Sequence, residues 1–88
     1  MKITQNQLAT LGTVASAAGG RVVTDFIAKG MGSGSCIAIE LRSPRDVWNA
    51  AELIAETDPR LARSLRGPAV ESAGYRVILF WPGVTVDT

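Results

Sequence analysis

Histidine is absent from this 88-residue chain, and cysteine occurs once. These scarcities remove much of enzyme chemistry at the outset. Without an imidazole there is no Ser–His or Cys–His pair and no His-containing metal site, and one thiol cannot build a thiolate zinc centre. No metal ion, no cofactor and no catalytic activity are expected. A single cysteine also excludes an internal disulfide, the pattern of a reducing compartment, so the chain reads as cytoplasmic. No apolar run approaches the roughly 18 residues of a membrane span. The stretch from Lys2 to Ala15-Ser16-Ala17 loosely resembles a secretory signal with its cleavage site, but Gln5, Asn6, Gln7, Thr10 and Thr13 interrupt the apolar region a translocase requires. Neither a leader nor membrane association is expected.

Excess charge of either sign is missing too. Nine basic and eight acidic side chains leave +1, far from the basic balance of a dedicated nucleic-acid binder. Lys2 and Lys29 are the only lysines, the other cations being arginine, and alanine is abundant; this bias reads as GC-rich coding and points to a bacterial or phage source. Hydrophobic residues make up 47% and charged residues 19%, the composition of a globular chain. A chain of this length holds one core, burying about 60–65% of its unfolded surface. Residues 1–88 are read as a single compact domain.

Local signals give the order of elements. Thr4 and Gln7 match a capping box, with Ile3 and Leu8 placed as a hydrophobic staple, so a helix starts after Thr4. Leu8, Leu11, Ala15 and Ala18 fall on one face of it, and Gly19-Gly20 ends it. This helix carries no charge, and Gly12 and Ala15 permit close backbone approach, which suggests tight packing on a sheet or a homodimer face. Residues 21–29 fit either a strand (Val22, Thr24, Phe26, Ala28) or a helical stripe, and their β-branched content favours the strand. Cys36 to Arg42 alternates as a half-buried strand, with Ile37, Ile39 and Leu41 pointing one way.

Ser43-Pro44-Arg45-Asp46 opens a second helix, with a serine cap, proline in the first turn and an acid at the positive end. Val47, Ala50, Ala51 and Ile54 form its inner face. Asp58-Pro59 repeats the signal for a short third helix running to about Arg66, with Leu61, Ala62 and Leu65 inward, before Gly67-Pro68 stops it. A polar connection through Glu71, Ser72 and Gly74 leads to Tyr75–Trp81, whose apolar residues on both faces mark a covered strand. Pro82-Gly83 turns the chain, and Val84-Thr85-Val86 is placed as a weak edge strand. The fold expected is α+β: an N-terminal helix, a β-hairpin, a two-helix hairpin and a C-terminal strand, with the helices on one face of a three-stranded, mainly antiparallel sheet.

The stretch Gly30-Met31-Gly32-Ser33-Gly34-Ser35-Cys36 invites a phosphate-loop reading, which its context removes. A phosphate loop or dinucleotide fingerprint opens a helix, whereas Cys36-Ile37-Ala38-Ile39 opens a strand. The stretch reads as a flexible hairpin tip, about 30–35, whose glycines accept positive φ. Cys36 reads as a small buried strand residue. Among the carboxylates, Asp46 and Asp58 are accounted for by helix starts, Glu52 and Glu56 by a wet helix face, and none forms an acid/base or chelating motif.

Arginine gives the positive signal. Arg60, Arg63 and Arg66 recur every three residues along the short helix, and Arg42 and Arg45 flank the start of its partner. Guanidinium groups bind oxyanions through paired hydrogen bonds, so this stripe suits an acidic protein patch or phosphates. Trp48 lies one position off the inner stripe of its helix and Trp81 ends the last strand; tryptophan and arginine are the residue types that most often carry interface energy. The candidate partner-binding set is therefore Arg42, Arg45, Arg60, Arg63, Arg66, Trp48 and Trp81. The function expected is a small non-enzymatic bacterial or phage regulator or inhibitor that binds a larger protein, with nucleic-acid binding through the arginine stripe as the alternative.

Overall fold

The structure, a computed structural model, describes residues 1–30 and 34–87. In chain order the elements are β1 (Lys2–Ile3), α1 (Gln5–Ala17), β2 (Arg21–Phe26), β3 (Cys36–Leu41), α2 (Pro44–Thr57), α3 (Pro59–Ser64), β4 (Ala69–Ala73), β5 (Arg76–Trp81) and β6 (Thr85–Val86). The α+β architecture follows the sequence pattern, with two strands more than expected, β1 and β4. The main sheet is antiparallel and four-stranded, in the order β2-β3-β5-β4, and β1 pairs with β6 in parallel as a separate two-stranded sheet.

Each helix begins where its capping residues place it. The Thr4 hydroxyl accepts from the Gln7 backbone N–H at 3.1 Å and the Thr4 N–H donates to Gln7 Oε1 at 2.8 Å, which satisfies two otherwise orphan donors reciprocally. α1 ends in a Schellman motif. Gly19 sits at φ 84, its N–H donates to the Ser16 carbonyl at 3.1 Å, and the Gly20 N–H reaches back to Ala15 at 2.7 Å. Residues 21–26 are strand, as their β-branched side chains suggest.

The main-sheet strand missed in the sequence is β4, in what reads as a polar connection. Ala-Val-Glu-Ser-Ala has little β-propensity of its own. Its strand conformation is imposed by the two-residue turn Gly74-Tyr75, which brings Ala73 opposite Arg76 and leaves Val70 opposite Leu79. Gly74 has φ 64 while Tyr75 does not take positive φ, the pattern of a II′ hairpin turn, which needs glycine at its first central position.

The sheet has two different faces. On one, Ile37, Ile39, Leu41, Leu79 and Trp81 meet Leu11, Val14, Ala15, Ala50, Ile54, Leu61 and Leu65 from the helices, forming the main core. On the other, Cys36, Ala38, Ile78 and Phe80 form a second cluster with Ala28, and Phe26 packs on Phe80 with ring centroids 5.2 Å apart. Among the described residues no helix covers this second face. The chain leaving β2 crosses it instead, since the Lys29 N–H donates to Glu71 Oε1 on β4 at 3.0 Å although β2 and β4 are opposite edges of the sheet. This crossing corrects the half-buried reading of Cys36–Arg42: Cys36 and Ala38 are as inaccessible as Ile37 and Ile39. Gly30, at φ 80, starts the glycine-rich loop; Met31, Gly32 and Ser33 lie outside the described residues.

Candidate interaction surface

The arginine and tryptophan candidates lie mostly on the helical pair. Ser43 caps α2, its hydroxyl accepting from the Asp46 N–H at 3.4 Å. At 100° per residue, Ala50 and Ile54 then point into the core and Val47 lies at its margin, with Ala51, Ala55 and Trp48 following in turn toward solvent. Trp48 is 74% exposed, the bulkiest side chain left uncovered on the helices. Arg45, one turn before it, is exposed as well.

Asp58 serves both helices. It closes α2, its N–H donating to the Ile54 carbonyl at 2.9 Å, and its carboxylate accepts from the Leu61 N–H at 3.1 Å to start α3. The helix is shorter than the arginine spacing suggests, ending at Ser64, because the chain must turn through Gly67, at φ 68, into β4. Arg60 and Arg63 thus form a helical ridge, and Arg66 follows in the turn, its Nε donating back to the Arg63 carbonyl at 3.2 Å. Arg42, Arg45, Arg60, Arg63 and Arg66 are all exposed, and among the described residues no carboxylate pairs with any of them.

Between this helical pair and β5 lies an apolar cleft of about 200 Å³, lined by Ala51, Ile54, Ala62, Leu65, Pro68, Leu79 and Trp81. Trp81, a candidate for partner contact, is a core residue at 3% exposure; it borders the cleft from within instead of standing on the surface as Trp48 does. Val70 lies on the same sheet face as Leu79 and is 56% exposed, so it continues the apolar lining outward along β4. Sequence reasoning passed over Val70 because it passed over β4; the Gly74-Tyr75 turn signal was the route to both.

A second cleft, of about 430 Å³, is lined by Gly19, Gly20, Arg21, Glu40, Leu41, Arg42 and Arg76. Glu40 is mostly covered, its side chain 17% exposed, and it pairs with Arg76 and, at 3.4 Å, with Arg21 Nε. Strand register assembles this group, which is why Arg21 and Arg76 escaped notice in the sequence. The cleft lies where α1 ends, and cations complement the negative end of a helix. Much of its positive charge thereby has a structural role.

Comparison with protein-family models, with curated proteins and with solved structures finds no match.

The lone thiol is not poised for chemistry. Cys36 is fully buried, and burial pushes its thiol above the ordinary range, against a smaller opposing effect of a backbone hydrogen bond from Trp81. A raised thiol is the reverse of what a nucleophile or ligand requires. No helix among the described residues is long and apolar enough to cross a membrane.

Proposed function

We propose that the protein is a small, non-enzymatic interaction module of the cytoplasm, a bacterial or phage regulator or inhibitor that engages a larger protein through the α2–α3 face. The observation that carries this reading is the juxtaposition of a 74% exposed Trp48, an open apolar cleft and a row of arginines with no carboxylate partners among the described residues. An exposed tryptophan keeps a large apolar area in water, and such residues, with arginine, are where interface energy concentrates. A non-catalytic role agrees with the buried, raised thiol of Cys36 and a sequence without histidine.

The test is comparative affinity capture from cells of the source organism, using the wild-type protein, Trp48→Ala and the triple reversal of Arg60, Arg63 and Arg66 to Glu. A partner retained by the wild type and lost by both variants, each still folded by circular dichroism, is the expected outcome. Retention by both variants overturns the reading.

The unpaired arginines also favour a second reading, contact with nucleic-acid phosphates. Affinity for duplex or single strands would then fall steeply with added salt, and an electrophoretic shift absent even at low salt removes it.

A further inference from the structure

The two edges of the main sheet are built differently. β2 carries the charges Arg21 and Asp25, and its register slips between Val23 and Phe26. Charges and bulges are the devices by which sheets refuse a further strand. β4 at the opposite edge has no bulge and a single charge. Its residues are Ala69, Val70, Glu71, Ser72 and Ala73, its register with β5 is unbroken, and its one charge, Glu71, is engaged by the Lys29 N–H. Val70 stands exposed opposite Leu79 of the apolar cleft, and Arg66 lies in the turn that leads from α3 into β4.

Resting on the interaction reading above, we propose that β4 is a strand-addition site, and that its occupant is an extended acidic segment of the partner. The outward N–H and C=O groups of β4 pair with that segment's backbone. A side chain on its α3-side face seats an apolar group against Val70 and the cleft, while flanking carboxylates meet Arg63 and Arg66. Charge decides between this occupant and a second copy of the chain. Antiparallel pairing of β4 with its own copy places the two-fold axis perpendicular to the sheet, so the α3 helices of both copies stand on the same face with their arginines approaching one another. A two-fold axis near the middle of the strand also sets Glu71 close to its counterpart, and like charges oppose such pairing. A segment with its carboxylates on the α3-side face keeps them across the sheet from Glu71, which lies on the face of Ile78.

The test uses a fluorescein-labelled probe peptide, Glu-Thr-Val-Thr-Glu-Thr, which places carboxylate, valine and carboxylate on one face of a strand. Its controls are the same peptide with both Glu replaced by Lys, and one N-methylated at alternate backbone positions. Fluorescence anisotropy at low salt is expected to show binding of the acidic peptide only. Affinity should fall about tenfold in the Arg63→Glu, Arg66→Glu double variant, as for loss of a charged interface pair, and about fivefold in Val70→Lys, which installs a natural edge guard at an already exposed position. Hydrogen exchange at the β4 amides should slow on binding. Equal binding by the N-methylated peptide overturns strand addition while leaving the α2–α3 reading intact. Equal binding by the lysine peptide overturns the acidic occupant. Absence of binding by the acidic peptide overturns the proposal outright, as does a dimer of the protein alone that Val70→Lys dissociates.

Discussion

Two glycines that look alike in the sequence have opposite roles in the structure. At Gly12, in the middle of α1, an added Cβ meets nothing within 4 Å, whereas at Gly20 it would overlap the Glu40 carbonyl oxygen and come 2.7 Å from Leu41 Cδ2. Gly12 is therefore a local concession with no contact to justify it, and Gly12→Ala is expected to raise stability by about 0.5–1 kcal/mol through helix propensity and a less disordered unfolded chain. Gly20→Ala must push β3 away from the start of β2, at a cost of about 3 kcal/mol or more, the range of overpacking and backbone strain combined. Urea denaturation of the two variants checks both signs. The sequence suggested that Gly12 admits a neighbouring backbone; the helix instead packs through Leu11, Val14 and Ala15, leaving that position open. Side-chain type announced the helix, but only the approach of β3 separates the glycine that matters from the one that does not.

At the scale of elements, what could be read in advance was whatever is encoded locally. The capping box at Thr4, the Ser43-Pro44 and Asp58-Pro59 starts and the Gly19-Gly20 stop each place a helix end through bonds to residues within a few positions, and all appear in the structure. β4 could not be read from its own residues, since its strand conformation comes from the Gly74 turn and from β5. The candidate surface divides in the same way. Arg60, Arg63 and Trp48 follow from helical spacing, whereas the cleft and the Arg21–Glu40–Arg76 group exist only after strands far apart in sequence pair. The local encoding of α1 makes a specific expectation. Thr4→Ala removes the hydroxyl that accepts from Gln7 and leaves a helix N–H without a partner, so stability should fall by about 1 kcal/mol. Thr4→Ser, which retains the acceptor, should recover most of that loss in the same thermal melts.

For the molecule as a whole, the asymmetry between the two faces of the sheet determines where it opens first. Three helices cover the main core, but among the described residues the second cluster is sealed by the chain leaving β2, held to the far edge by the bond from the Lys29 N–H to Glu71. A segment with few contacts opens at a lower free energy than the global transition. Cys36 lies beneath that crossing, in the same cluster as Ala28, and so reports on the opening directly. With the crossing in place the thiol is inaccessible and its ionisation disfavoured. Labelling with a thiol reagent should therefore be slow in the native protein yet faster than global unfolding permits. Glu71→Ala deletes the acceptor of the latch without touching the helix-packed core. It should speed Cys36 labelling severalfold while lowering stability by only about 1 kcal/mol, the scale of one hydrogen bond. The raised thiol adds a dependence on pH with a definite sign. The unfolded chain ionises the thiol first, so it binds fewer protons than the native chain in that range, and stability falls as pH rises above the ordinary thiol value. A labelling rate that tracks global stability equally in wild type and Glu71→Ala would mean that the second face does not open independently of the rest.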